Sequence, residues 1–144
     1  MTKSKATRED VVAEAESWLR TPYHHMGSVK GAGVDCGQFL IEVYYAVGLA
    51  PKIDTGHYPS DWHFHRSEEV YLGWVQAHST STDTPKAGDV ALFKFGRCIS
   101  HGGIMIDETT LIHSHLGMGV VYAKLTDAEL NGRCVGFYTL WDGE

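Results

Sequence analysis

The stretch VDCGQFLIEVYYAVGL, residues 34–49, combines one cysteine with the pattern of an amphipathic helix. Large apolar side chains recur every three or four positions after Cys36 and predict one buried helix face, formed by Phe39, Leu40, Val43, Tyr44 and Val47. Gly48 is the residue type that commonly ends a helix. Because the helix begins at Cys36, the thiol lies at a helix entrance, where the helix dipole favours the reactive thiolate.

A second helix is predicted before this stretch. Thr7 and Asp10 have the spacing of a capping box, and apolar residues at helical spacing follow them: Val11, Val12, Ala15, Trp18 and Leu19. We expect this helix to end at Pro22, because proline lacks a backbone donor and restricts the residue before it. Residues 21–33, TPYHHMGSVKGAG, contain three glycines and are predicted to form a loop that leads to Cys36.

Downstream of Pro85 the pattern changes to short segments rich in branched and aromatic residues, separated by glycine or polar turns. Five strands are predicted, at residues 89–95, 102–107, 110–115, 118–123 and 134–141. Helices followed by an antiparallel sheet indicate an α+β fold, here one domain over residues 1–144. Between Pro51 and Pro85 the chain is irregular and rich in histidine and aromatic residues, and we expect this region to wall a cleft.

The composition is that of an ordinary globular domain. Hydrophobic residues make up 43% of the 144 residues and charged residues 21%, which argues against disorder. The net charge of -6 comes without a basic run, so nucleic acid is not expected as a partner. No segment is long and apolar enough for a membrane span, and MTKSKATRED at positions 1–10 lacks the apolar core of a signal peptide. We therefore expect synthesis in the cytoplasm.

The three cysteines are an odd number, which excludes a complete disulfide framework. Cys98 and Cys134 could pair, but in a reducing compartment both are expected to be apolar filling residues. Cys36, at the helix entrance, is the cysteine whose position favours a reactive thiolate.

A cysteine nucleophile needs a base, and position narrows the nine histidines to two. His101 and His113 lie on consecutive predicted strands joined by the turn DETT, so antiparallel pairing would bring their rings side by side. His101 would then take the proton of the Cys36 thiol, and His113 would orient the His101 ring through its second nitrogen. Backbone donors of the first helical turn would face the developing oxyanion. Asp35 caps the helix or holds the preceding loop, and capping is the better-supported role.

Five sequence blocks occur in an order that resembles the NlpC family of papain-like bacterial cell-wall cysteine peptidases: TPYHHMGS, VDCGQF, PKAGDVALF, SHGGIMI and LIHSHLGMGVV. The resemblance implies a papain-like fold, with N-terminal helices packed on a C-terminal antiparallel sheet. It implies Cys36 as nucleophile, His101 as general base, His113 as the residue that orients the base, and a Tyr23 hydroxyl near the nucleophile. No cofactor is implied. The implied partner is a peptidoglycan stem peptide, often cleaved after D-glutamate.

The TPY block, an SVKG loop, the helix that begins at the DC pair and a YPSDW segment resemble the short family members encoded with tail genes of phages and gene transfer agents. This resemblance implies tail proteins as further partners, and a virion or tail particle acting at the cell wall as the location. The chain departs from many family members at Gly37 and Gln38, where serine and glycine often follow the cysteine. It also departs at Gly102, where valine often follows the base. Neither departure removes a catalytic group, and substrate choice is what they affect.

Two other functions fit parts of the sequence. A metal site is suggested by two histidine pairs, His63 with His65 and His113 with His115, and by Cys98 three residues before the base. The spacing of established zinc motifs is absent, and we expect strand alternation to direct His113 and His115 to opposite faces. A non-catalytic tail-assembly scaffold is the second alternative.

Overall fold

The computed structural model describes residues 6–50, 73, 75–95 and 98–141 of the chain. Helices α1 and α2 span Arg8–Glu16 and Cys36–Ala46. The strands in these residues are β1 Ser28–Val29, β2 Gly33–Val34, β3 Thr80–Thr82, β4 Val90–Phe95, β5 Cys98–Met105, β6 Thr110–His115, β7 Gly119–Lys124 and β8 Cys134–Thr139. Over the same residues, no helix has the length and apolar character that a bilayer crossing requires.

Six strands form one antiparallel sheet in the order β3-β8-β4-β5-β6-β7, and β1 pairs separately with β2. The α+β prediction is therefore confirmed, and the five predicted strands form as β4 to β8. Strand β5 begins at Cys98, earlier than the predicted start at Gly102. The sequence did not indicate β1, β2 or β3, because each has only two or three residues. Of the region between Pro51 and Pro85, which was expected to be irregular and to wall a cleft, residues 51–72 lie outside the described residues, as do His63 and His65. In its described part, residues 75–78 are helical and β3 follows at Thr80–Thr82.

Three of the four predicted helix ends are confirmed. Thr7 and Asp10 form the predicted capping box of α1, and α2 begins at Cys36 as predicted. Gly48, at φ +82°, takes the left-handed conformation that follows the end of α2. Helix α1 ends at Glu16, well before Pro22, and tight turns follow it. Arg20 has φ +76°, so the chain has left the helical conformation before it reaches Pro22.

The sheet carries a hydrophobic core on each face, as alternation along the strands requires. On one face, Leu92, Ile104 and Ile112 pack with residues of both helices, among them Val11, Phe39 and Leu40. On the other face, the buried apolar residues are Ala91, Phe93, Met105, Leu111, Ala123 and Leu130. We refer to these as the helix-side core and the outer core. Cys36 belongs to the helix-side core.

The turn before β4 is fastened to the N-terminal helix. Asp89 is buried, and its carboxylate accepts hydrogen bonds from the Arg8 guanidinium and the Lys86 N–H, each at 2.8 Å. The Tyr44 hydroxyl of α2 donates to the Gly88 carbonyl at 2.6 Å. A buried carboxylate with these partners has a structural function, since its hydrogen bonds hold α1 against the first central strand.

Candidate active site

Cys36 is the first residue of α2 and is only 7% exposed. The preceding residue, Asp35, uses both carboxylate oxygens. Oδ1 accepts the backbone N–H of Gln38 at 2.8 Å, which is the predicted helix cap, and Oδ2 accepts the N–H of Met26 at 2.8 Å. Capping and loop-holding, treated as alternatives from the sequence, therefore occur together. The result is a fixed backbone on both sides of the thiol.

Tyr23 lies beside this helix entrance. Its backbone forms an isolated parallel bridge with Val34, two residues before Cys36. Burial raises the pKa of the Tyr23 hydroxyl, and the negative charges of Cys36 and Asp35 raise it further. The phenol therefore keeps its proton at neutral pH and is available as a hydrogen-bond donor close to the thiol.

The structure brings the rings of His101 and His113 together. Nε2 of His101 lies 2.7 Å from Nδ1 of His113, and the ring centroids are 4.9 Å apart at an angle of 76°. Burial lowers the pKa of His101, and the charges of His113 and His115 lower it further. Burial, followed by the charge of His115, lowers the pKa of His113 to about 4, against an opposing effect of Asp127. Both imidazoles are therefore neutral near pH 7, with one proton between the facing nitrogens.

The expectation that His113 and His115 point to opposite faces is wrong. Their rings stack at 5.1 Å with an angle of 13° between planes, and the His101 ring lies 5.8 Å from that of His115. The physical reason is the period of two along a strand, which places residues i and i+2 on the same face. One ring nitrogen from each of the three histidines lies within 4.8 Å of the others. We call these residues the histidine cluster.

The histidine cluster lies at the end of the β5–β6 ladder. Among the described residues these strands pair at Ile104–Ile112 and Met105–Leu111, and His101 lies beyond those pairs. The rings of Phe93 and Phe95 flank His101 at centroid distances of 5.8 and 5.5 Å. This apolar surrounding accounts for the desolvation of the ring.

Two contacts join the helix entrance to these strands. The hydroxyl of Ser114, which lies between His113 and His115 in the sequence, donates to the Val34 carbonyl at 2.7 Å. A Cβ at Gly102 would lie 2.8 Å from Cδ1 of Leu40, which is one helical turn after Cys36. Glycine therefore lets the first turns of α2 approach the strand that carries His101. Sequence reasoning missed Ser114, although alternation on β6 already placed a serine on the helix side of the strand.

Cys134 has a free thiol, and burial raises its pKa. A raised pKa keeps a thiol in its unreactive form, as expected for an apolar filling residue. The side chain of Cys98, which was considered both as its partner and as a metal ligand, lies outside the described residues.

A cysteine at a helix entrance, next to an antiparallel sheet that carries paired histidines, is the layout of papain-like α+β domains. The chain belongs to the NlpC/P60 family, since that family's model matches residues 20–139. It is 24% identical over 131 residues to the gamma-D-glutamyl-L-lysine dipeptidyl-peptidase of Bacillus subtilis (strain 168), covering 88% of this chain and 39% of that protein. The chain thus spans about two fifths of this curated relative.

Solved structures share the fold. An NlpC/P60 family protein from Bacillus cereus ATCC 10987 superposes with a TM-score of 0.69 at 19% identity, over 93% of this chain and 40% of that one. The NlpC/p60 domain of the peptidoglycan hydrolase SagA superposes with a TM-score of 0.63 at 21% identity, over 93% of this chain and 99% of that domain. These likenesses establish the papain-like arrangement of helices and sheet.

Proposed function

We propose that this protein is a cysteine peptidase that hydrolyses amide bonds in peptidoglycan stem peptides. Cys36 is the nucleophile, His101 the general base, and His113 the residue that orients the base. The observation that carries the proposal is the 2.7 Å contact between His101 and His113, on strands held against the helix that begins with Cys36. Membership of the NlpC/P60 family supports peptidoglycan as the substrate class.

The orientation of the His101 ring defines which nitrogen performs the proton transfer. Because Nε2 of His101 faces His113, Nδ1 is the nitrogen that exchanges a proton with the Cys36 thiol. For Nδ1 to accept that proton, Nε2–H of His101 must donate to Nδ1 of His113, and His113 must carry its own proton on Nε2. His113 therefore selects the tautomer of His101 that can act as a base.

The Cys36 thiolate attacks the amide carbonyl while His101 holds the thiol proton. The N–H of Cys36 and the Tyr23 hydroxyl stabilise the oxyanion of the tetrahedral intermediate. His101 then protonates the leaving amine, and the C–N bond breaks to give a thioester on Cys36. Water, deprotonated by His101, hydrolyses the thioester and restores the thiol. The position of His101, beyond the described β5–β6 pairs, supports a transfer at the point where these two strands part.

The bond proposed for cleavage is the one that follows D-glutamate in the stem peptide. The curated relative from Bacillus subtilis is named for a γ-D-glutamyl-L-lysine bond, which supports this choice. Gly37 and Gln38, next to the nucleophile, are the residues at which we expect selectivity to differ from that of other family members.

We also propose that the protein is carried in a phage-type tail particle, after synthesis in the cytoplasm, and acts at the cell wall. The SVKG loop and the YPSDW segment support this assignment. Particle fractions of the source organism, probed with an antibody against the protein, should contain it together with tail proteins. Recovery of the protein with soluble cytoplasmic proteins alone would contradict the assignment.

The peptidase is tested by incubating the purified chain with defined muropeptides and identifying the products by mass spectrometry. Cleavage is expected with the native chain and with the matched control Cys134→Ser, and not with Cys36→Ser. Full activity of Cys36→Ser would exclude the mechanism. A native chain that cleaves no muropeptide would favour the assembly scaffold.

Inhibitors separate thiol catalysis from catalysis by a metal. Iodoacetamide should abolish cleavage by alkylating Cys36, whereas a chelator should leave cleavage intact. The opposite pattern, with loss in chelator and persistence after alkylation, would assign the reaction to a metal.

A further inference from the structure

We propose that His101, His113 and His115 form a binding site for one divalent transition-metal ion, with Zn²⁺ as the ion that fits best, and that the bound ion inhibits the peptidase. Inhibition presupposes the cysteine peptidase activity proposed above, whereas metal binding does not. The expected ligand set is three imidazole nitrogens and one position open to solvent or another ligand.

The spacing of the three rings suits a metal ion. One nitrogen of each histidine lies within 4.8 Å of the other two. A tetrahedral Zn²⁺ with Zn–N bonds of about 2.0–2.1 Å needs ligand nitrogens roughly 3.4 Å apart. The longest of these separations therefore has to close by up to roughly 1.4 Å, and the His113 ring has to turn so that Nε2, and not Nδ1, faces the ion.

A buried nitrogen without a partner points to a missing ligand at this position. Among the described residues, Nε2 of His113 is buried and makes no hydrogen bond. Leaving a buried polar atom unpaired is costly, and such atoms in native proteins usually have a function or an additional partner. The stacked ring of His115 lies directly beside this nitrogen's own ring, at 5.1 Å between centroids. A metal ion held by both rings would satisfy the unpaired atom.

The charges around the histidine cluster favour a cation. Histidine binds a metal ion through a neutral imidazole, so the charge of the ion has to be balanced by other groups near the site. Asp127 acts on His113 with a negative charge and follows β7, the neighbour of β6 in the sheet. A carboxylate in the surroundings of metal-bound histidines is a common way to support them.

Proton relay and metal binding exclude each other at this site. In the catalytic arrangement a proton lies between Nε2 of His101 and Nδ1 of His113. A metal ion bound to both rings displaces that proton, turns the rings and occupies the base. The thiol of Cys36 then loses its proton acceptor, so Zn²⁺ acts as a reversible inhibitor, and removing the ion restores activity.

Metal binding is tested on the full chain carrying Cys36→Ala, so that the nucleophile cannot be the ligand. Calorimetric titration with Zn²⁺ is expected to show one ion per chain. Co²⁺ is expected to give the intense visible absorption of a tetrahedral site. His115→Ala should weaken Zn²⁺ binding at least about 100-fold, because even changes of outer-shell partners cost about 10–100-fold. His24→Ala, which removes an exposed imidazole, is the matched control and should leave affinity unchanged.

Equal Zn²⁺ affinity with and without His115 would overturn the site, as would the absence of binding to the Cys36→Ala chain. His115 is only half-buried, so its replacement is the variant least expected to disturb folding, and a thermal melt in chelator checks this. If His115→Ala fails to fold, His115→Gln replaces it in the same titration, and unchanged Zn²⁺ affinity of that variant would likewise overturn the site. Inhibition is measured separately, as loss of muropeptide cleavage by the native chain in Zn²⁺ and recovery in chelator. Binding without any cleavage would refute the peptidase and leave the metal site standing.

Discussion

At the entrance of α2, the Asp35 carboxylate accepts hydrogen bonds from two backbone N–H groups, whereas on β5 and β6 three imidazoles contact one another and aromatic rings. The helix entrance is held by bonds to the backbone of its own loop and first turn. The histidine cluster is held by packing between strands, and one of its buried nitrogens has no partner. The backbone on both sides of Cys36 is thus held by polar contacts, while His101 lies among aromatic rings and its burial lowers its pKa.

The entrance of α2 and the histidine cluster therefore have different functions. Hydrogen bonds to the backbone fix the position of the thiol, and burial sets the protonation state of the histidines. Substitutions at the helix entrance should therefore mainly change the free energy of unfolding and the position of the thiol. Substitutions in the histidine cluster should mainly change the rate of cleavage and its dependence on pH.

The largest effect is expected from His101→Gln. Glutamine can keep a hydrogen bond to His113 but cannot take the thiol proton, so kcat/KM for muropeptides should fall on the order of 10³-fold. The pH profile of Cys36 alkylation by iodoacetamide should shift toward that of an ordinary thiol. His24→Gln is the control. An unchanged alkylation profile would show that His101 does not act on the thiol.

Asp35→Ala should lower the free energy of unfolding by about 3 kcal/mol, because it removes a helix cap and leaves a second, part-buried N–H unpaired. Urea unfolding measures the change. Asp10→Ala removes an exposed capping carboxylate of α1 and should cost about 1 kcal/mol or less. Equal losses in the two variants would show that loop-holding by Asp35 contributes nothing.

Acid should destabilise the protein through His113. Its pKa is about 4 in the folded chain and 6.5 without the fold, so the unfolded chain binds more protons between these values. The part of the free energy of unfolding that depends on neutral His113 is fully present above pH 6.5. It falls by on the order of 2–3 kcal/mol as the pH is lowered toward 4.

Urea unfolding at pH 7.5, 6 and 4.5 tests this, with His113→Gln as the comparison. The variant should show a shallower decline than the native chain. Parallel curves would place the acid sensitivity in other groups.

The smallest effect is expected from Ser114→Ala, which removes one buried hydrogen bond between β6 and the loop before Cys36. Stability should fall by about 1 kcal/mol, and kcat/KM should fall by less than about tenfold, because the thiol is still present but less well positioned. Ser17→Ala, at an exposed position after α1, is the control for stability and activity. A gain in activity would contradict a positioning role.

Local features of the sequence predicted the helix entrance well. The start of α2, the capping box of α1 and the cap by Asp35 each depend on residues three or four positions apart, so the sequence contains the necessary information. The predicted end of α1 was wrong, because the helix ends at Glu16 and the turns that follow contain no proline. The pairing of β1 with β2 was missed, because a strand of two residues is too short to show the alternation of apolar and polar residues.

The histidine cluster was only partly predictable. The contact of His101 with His113 follows from consecutive antiparallel strands, and the structure shows it. His115 was assigned to the wrong face, although a period of two already places it with His113. The side of β6 on which Ser114 lies was predictable from alternation, but its partner was not, because Val34 lies 80 residues earlier in the chain and only the packing of α2 on the sheet brings the two together.

The hydrogen bond from Ser114 to Val34 has a consequence for synthesis. The ribosome must add 80 residues after Val34 before the serine exists, which takes roughly 4–16 s at about 5–20 residues per second. We expect the nascent thiol to remain unactivated during that interval. A stalled chain that ends before β6 should therefore react with iodoacetamide like any cysteine of an unfolded polypeptide, and release of the full chain should change that rate.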